Sequence, residues 1–536
     1  MAVGTLDNFM TGRRSGGWIP SPGGVLLALI FLAPLGALLG FSLSGDSAHL
    51  RHLAETLLPT YVGNSAMLGG LTAVGTITLG VPTAFLISRY HFVGRGMLGW
   101  AMALPLAMPA YVAAYAWFSM TAAGGPLEAL PMVRGVGGAA FVFSITFYPY
   151  VFLLARQAFE SQGASPMEAA RSLGASPIPA FFRTALPLAR PAIVVGVALA
   201  VMEVLADYGV ADFLGAPTLT VGIVRAWSSF GDPAAAARLA IILLFAAALA
   251  LGVERLARRG RRFGAVGRRE GAVHRTRLTG APGFGALLLC LLPLTLGLLL
   301  PTSYLAFMAF DVQPARSVWP ALQGTLMLAG ASAVLAAILG IGAATILRTG
   351  RAPSRAAVRI AQAGYAVPGA VGAIGILALF ATLQRLSDDL LGGAAPVFAG
   401  GGIIALLYAY QARFAAAAIG PCDSALSRVS PSIDQAARSL GARKVRVITQ
   451  VYAPLALGGI ATAALLVFVE VMKELPATMI LRPFDLDTLA VTAHNYASDE
   501  RLAAAALPSL LLVLLGVPAM MLVAWLAGRV RREMAA

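Results

Sequence analysis

Twelve apolar stretches, each near the length a helix needs to cross a bilayer, constrain this chain more than any single motif. They fall at 24–42, 65–88, 97–122, 137–155, 191–212, 234–253, 283–310, 322–347, 360–383, 397–412, 455–475 and 503–527. A hydrocarbon core about 30 Å thick takes roughly 20 residues of helix. Inside it backbone amides must pair within the protein, which leaves helices or a closed barrel, and stretches this long and uniformly apolar read as helices. Composition agrees, with 58% of the 536 residues hydrophobic and 12% charged, against about 45–50% and about 25% in soluble domains. The 58 Gly and 32 Pro lie inside apolar runs, where bilayer helices tolerate both. A soluble enzyme, a disordered tail and a disulfide scaffold are therefore excluded, the last because Cys290 and Cys422 are the only cysteines. The first stretch is expected to be retained as a span, since it is longer than a signal-peptide core and Arg13 and Arg14 lie well ahead of it.

Orientation follows from Lys and Arg, which accumulate in short cytoplasmic loops. With both termini inside, most of the 39 basic residues fall in cytoplasmic segments. The net charge of +15 is then a topology signal, and no nucleic-acid partner is expected. The densest cluster, Arg255, Arg258, Arg259, Arg261, Arg262, Arg268, Arg269, Arg275 and Arg277, lies between spans six and seven. It reads as a cytoplasmic linker beside an anionic leaflet. The expected organisation is an N-terminal segment 1–23, a first membrane domain 24–253, the basic linker 254–282, a second membrane domain 283–528 and a tail 529–536.

The two membrane domains are copies. Ala169-Ala170-Arg171-Ser172-Leu173-Gly174-Ala175 recurs unchanged as Ala436-Ala437-Arg438-Ser439-Leu440-Gly441-Ala442, an offset of 267. The same offset carries Pro187 onto Pro454, Ile193 onto Ile460 and Glu203 onto Glu470. A nearby offset carries Met67 onto Met327, Gly80 onto Gly340 and Pro109 onto Pro368. Six spans per copy is an even number, so the halves are parallel repeats enclosing a pathway. The fold class is all-α, a polytopic membrane protein of two six-helix repeats.

The repeated loop follows span four and span ten, on the cytoplasmic side by the charge argument. Ser165-Pro166-Met167-Glu168 has the form of a capping box with Pro at the first helical position, and Ser432-Ile433-Asp434-Gln435 is read as the same device. Gly174 and Gly441 are expected to stop each helix in a left-handed conformation. Pro187 and Pro454 are expected to end a second helical piece before the chain re-enters the bilayer. Each short helix either docks a cytoplasmic partner or ties the loop to the bundle. A phosphate loop needs Gly-Lys followed by Ser or Thr, and Lys444 after Arg443 and Lys473 after Met472 are the only lysines. The chain is therefore not expected to be an enzyme or to carry a cofactor.

Glu168-Ala169-Ala170, then Gly174, then Leu186-Pro187, resembles the EAA loop of inner-membrane permeases of binding-protein-dependent ABC importers. The second copy resembles it with Gln435, Ala436, Ala437 and Gly441, a Gln replacing the Glu. The resemblance implies a type I permease in the cell inner membrane. These residues would couple it to two cytoplasmic ATP-binding subunits, one per half, and a solute-binding protein would deliver substrate outside. Met202 to Gly215, Val469 to Thr478, Leu481 to Phe484 and Ala497 to Arg501 resemble ferric iron importer permeases whose two membrane domains are fused. Thiamine, sulfate or molybdate permeases of similar build, and an ion-coupled carrier, are the competing readings.

Glu203 and Asp207 stand four apart, hence on one helix face, and Glu470 and Glu474 repeat them. Ionisable groups at membrane depth usually face a cavity or a partner. Hard oxygens also suit a hard cation, without identifying it. Either the four carboxylates line the translocation route, or Lys473 pairs with one while the others cap helix ends; no resident metal site is assigned. His49 and His52 read as solvated loop residues. Arg225, Trp227, Tyr496 and Asp499 lie in the outside loops where a delivering protein would dock, although the aromatics equally suit a lipid interface. Cysteine labelling tests the topology: residues placed in the 255–277 linker should react only with membrane-permeant reagents in intact cells, and labelling from outside would invert it.

Overall fold

A computed structural model describes residues 22–43, 55–162, 172, 174, 176–259, 275–311, 317–391 and 402–533. Among them ten helices are long and apolar enough to cross a membrane, or twelve if two bent pairs each count as one span. The first half contributes α1 (Pro22–Leu43), α2 (Leu58–Arg89), α3 (Arg95–Ala101), α4 (Ala110–Thr121), α5 (Gly135–Ser161) and α6 (Leu186–Ala206). Two short helices follow, α7 (Gly209–Phe213) and α8 (Leu219–Ser228), then α9 (Pro233–Arg259). In the second half α10 (Gly280–Leu294) runs through a π turn, Thr295–Leu299, into α11 (Leu300–Asp311). Then come α12 (Trp319–Thr349), α13 (Ala352–Gln362), α14 (Gly369–Leu391), α15 (Ile403–Leu426), α16 (Pro431–Ser439), α17 (Leu457–Met472), α18 (Pro476–Leu481), α19 (Leu489–Ser498) and α20 (Leu502–Glu533). The sole strand pairing among the described residues joins Tyr90–His91 to Thr276–Arg277, so the all-α expectation holds.

Proline explains where the apolar stretches fail to be single helices. The residue before proline avoids the helical region, and Met108 before Pro109 and Val367 before Pro368 are both extended. The third expected span is accordingly bent by 90° between Arg95–Ala107 and Ala110–Thr121. The ninth begins only at Gly369, after the separate helix α13.

The duplication reappears in three dimensions. The π turns Phe181–Ala185 and Ile448–Tyr452 are 267 residues apart, each a bulge that fits an extra residue into the helix. Gly80 lets α2 approach the α5 backbone, and Gly340 lets α12 approach that of α15; a Cβ would stand 3.0 Å from Tyr148 O and 2.6 Å from Ala418 O respectively. Leu219 N–H donates to Ser65 Oγ at 3.0 Å, and Leu489 N–H to Thr325 Oγ1 at 2.8 Å. The copies differ at the re-entry prolines. Ile178–Ala206 is one continuous helix through Pro187, contrary to the expected stop, whereas a bend of 82° separates Val445–Leu455 from Leu457–Met472 just after Pro454.

The first span of each half packs across the other half. Helix α1 lies on α13 and α14, with Tyr408 Oη donating to Ile30 O at 2.8 Å. Helix α10 lies against α2 and α3, the π turn Thr295–Leu299 against α5, and α11 against α4; Trp117 Nε1 of α4 donates to Leu296 O in that turn at 3.1 Å. This crossing leaves the breaks after α6 and α17 facing one another at the seam.

Candidate transport cavity and coupling loops

The four expected carboxylates sit at those two breaks. Helix α6 ends at Ala206, and Asp207 follows in an extended conformation, so it does not share a helical face with Glu203 as the spacing suggested. Its side chain instead accepts the Val210 N–H at 2.8 Å and caps α7. Glu474 does the same for α18: Ala477 N–H donates to Oε1 at 3.0 Å and Thr478 N–H to Oε2 at 2.9 Å. Val210 and Ala477 are again 267 apart, so the capped break is itself duplicated. In each half one membrane helix stops, a carboxylate turns back, and a short helix restarts. The amide protons that open these short helices have no intrahelical acceptor, and a side-chain carboxylate is a strong substitute.

Charge compensation differs between the halves. Glu474 is buried, 1% exposed at its side chain, and Arg413 Nη1 lies 2.9 Å from its Oε1. Lys473 Nζ lies 3.0 Å from Glu470 Oε1. Glu203 has neither partner type: Tyr150 Oη donates to Oε1 at 3.3 Å, and Tyr365 Oη donates to the same oxygen. Tyr365 belongs to the second half, so this contact crosses the seam. Gly369 makes room for the buried pair, because a Cβ there would overlap Arg413 Nη1 and stand 2.6 Å from Glu474 Oε1.

All four carboxylates line one cavity of about 60 Å³, together with Arg413, Lys473, Tyr111, Phe147 and Phe414. The two sequence readings therefore meet. The carboxylates cap helices and pair with Lys473, and they also face a common space between the halves. Sequence reasoning missed Arg413, Tyr150 and Tyr365; Arg413 closed off the tenth apolar stretch, but α15 continues past it, making it an intramembrane cation. Among the described residues no three His, Cys, Asp or Glu side chains form a metal-holding group.

Of the residues expected to couple to an ATPase, Glu168, Ala169 and Ala170 lie outside the described residues; the loop residues His49 and His52 do so too. Gly174 and Gly441 have φ of +87° and +73°, the expected left-handed stops. Helix α16 presents Gln435 and Ala436 outward and buries Ala437. Its cap is Ser430 rather than Ser432: Pro431 takes the first helical position, and the Ser432 N–H donates to Ser430 Oγ at 3.3 Å. Arg348, at the end of α12, holds this helix through Asp434 Oδ2 at 2.9 Å and through the carbonyls of Leu426 and Val429 at 2.6 and 2.8 Å. Tyr452 Oη donates to Asp434 Oδ1 at 2.9 Å. On the opposite face, Arg225 pairs with Asp212 at 3.6 Å, Trp227 is half-buried, Tyr496 lies beneath the Arg501 guanidinium, and Asp499 is exposed.

Two intertwined membrane repeats, each with a capped break facing one charged cavity, have the architecture of a transport permease. The chain belongs to the binding-protein-dependent transport system inner membrane component family, whose profile matches residues 76–262 and again 336–532. It is thus a multi-pass inner-membrane transport component with two family units fused. It is 25% identical over 472 residues to the Fe(3+)-transport system permease protein FbpB 2 of Haemophilus influenzae, covering 86% of this chain and 89% of that one. It is 31% identical over 155 residues to the molybdenum transport system permease protein ModB of Azotobacter vinelandii, covering 28% and 69%. A sulfate transport system permease protein CysT of Salmonella typhimurium is 30% identical over 196 residues, covering 34% and 71%.

The buried pair gives a direct stability test. Arg413→Met should destabilise the purified protein by about 3–5 kcal/mol, the usual consequence of stranding one member of a buried ion pair. Adding Glu474→Gln should recover part of that loss in a double-mutant cycle read by thermal unfolding, and strictly additive effects would show that the two groups do not interact.

Proposed function

We propose that the chain is the permease of an ATP-driven importer that passes ferric iron, delivered by a binding protein outside, into the cytoplasm. Both termini and the basic linker are cytoplasmic in this reading. One ATP-binding subunit docks at the 168–175 segment and a second at 435–442. The observation that carries the substrate is the likeness to the Fe(3+) permease, which runs through both halves, whereas the molybdenum and sulfate relatives each match about a third of the chain. The cavity chemistry supports it, with four carboxylates against two cations. Even with one carboxylate protonated the excess is negative, which favours a cation and disfavours an oxyanion. Arg413 and Lys473 are the specific features favouring the second reading, an oxyanion permease. Membership in a binding-protein-dependent family sets aside the ion-coupled carrier.

In reconstituted vesicles with the ATPase and binding protein, Glu203→Gln with Glu470→Gln should lower iron uptake while leaving assembly intact. Normal uptake by that variant rejects the route, and uptake of molybdate or sulfate in place of iron by the wild type rejects the substrate. For coupling, Gly174→Val with Gly441→Val forces a β-branched residue into positive φ. It should uncouple ATP hydrolysis from transport without loss of membrane insertion, and unchanged coupling would reduce these helices to simple loop ties.

A further inference from the structure

Resting on the ferric reading above, we propose that Tyr150, Glu203 and Tyr365 form a transient site for a trivalent cation at the seam between the halves. The two phenols come from opposite halves and converge on one carboxylate oxygen, Glu203 Oε1. The proline break at Val367 makes this possible, because Tyr365 lies in the short turn Ala363–Ala366 that precedes it. All three side chains are half-buried, and Glu203 opens on the cavity.

The other carboxylates are committed elsewhere. Asp207 and Glu474 hold backbone amides, Glu474 also holds Arg413, and Glu470 holds Lys473. Among the described residues no cation lies within ion-pair distance of Glu203; Arg413, held by Glu474 at 2.9 Å, acts on it only through the electrostatic field. The arrangement is also not a by-product of duplication. The residues equivalent to Tyr150 and Tyr365 are Ala417 and Leu106, by the offsets of 267 and 259. Phenols were thus placed around one of two symmetric glutamates and a lysine beside the other.

The chemistry suits a hard trivalent ion. Metal ligands must be deprotonated, and binding releases their protons. One carboxylate and two phenolates supply three negative charges, so a ferric ion would be neutralised, with the two phenolic protons passing to the water displaced from the incoming ion. An ion left unneutralised at this depth would be prohibitively unfavourable. Because the donors come from both halves, separating the halves would dismantle the set and release the cargo.

The test uses the full-length chain in lipid nanodiscs, titrated with ferric nitrilotriacetate and read by visible absorption, alongside iron uptake by vesicles. The wild type should develop a ferric–phenolate charge-transfer band. Tyr150→Phe with Tyr365→Phe should abolish it and weaken iron binding at least about tenfold, the scale of losing a metal-site partner. Each single change should diminish the band. Tyr408→Phe, whose hydroxyl bonds Ile30 O away from the cavity, should leave it intact and so controls for loss of a buried hydroxyl. A wild type that imports iron without any such band, or a double variant that keeps it, overturns the site and leaves the ferric reading standing. Vesicles that import an oxyanion and no iron overturn both.

Discussion

Backbone amides in hydrocarbon have no water to bond, and each one left unpaired costs several kcal/mol. That constraint governs the centre of this protein, because the candidate spans α6 and α17 both stop at the central cavity and new helices begin at Gly209 and Pro476. Asp207 and Glu474 meet the demand by accepting the opening amides of α7 and α18. The solution creates a second demand, since a buried carboxylate needs a compensating partner. Arg413 supplies it for Glu474, and the guanidinium lies against Gly369, where a Cβ would force the pair to shift. Broken helix, acidic cap, buried arginine and glycine thus form one dependent series, and the cavity is the space this series encloses.

Duplication built the scaffold and divergence gave it polarity. The π turns, the close glycine crossings, the acidic caps and the amide bonds to Ser65 and Thr325 all recur between halves. The compensating charges do not: the residues equivalent to Arg413 and Lys473 are Thr146 and Ala206. The same holds at the loops. Asp434 and Tyr452, which tie α16 to Arg348, correspond to Met167 and Ala185, so the sequence of the first loop does not repeat the members of this ionic latch.

Much of this was legible in sequence because the signals are local. Apolar length gave the spans, a seven-residue identity gave the repeat, and four acidic residues in apolar surroundings pointed to the cavity. The misreadings have equally local causes. Spacing puts Asp207 on a helical face only if the helix is continuous, and nothing in the apolar pattern marks a break at Ala206. The offset from Ser165 points to Ser432 as the cap, whereas Pro431 sets the start two residues earlier. Pro109 and Pro368 were visible as repeated positions, but their extended preceding residues matter only once the chain is folded around them. The crossing of α1 onto the second half, and the meeting of Tyr365 with Glu203, depend on tertiary packing and have no sequence period to reveal them.

The size of the cavity bears on how cargo would pass. About 60 Å³ has room for a few waters, since one needs roughly 10–15 Å³ of such space. A cation bound directly by these groups would exchange water oxygens for protein oxygens, which hard cations accept in the form of carboxylates and other anionic donors. An oxyanion would need donors of N–H type instead, yet Arg413 and Lys473 already have carboxylate partners and the amides of Val210, Ala477 and Thr478 are engaged by the caps. The ferric proposal therefore asks less rearrangement of this conformation than an oxyanion would. It places the decisive exchange at the one carboxylate whose partners are phenols rather than a cation or an amide, Glu203.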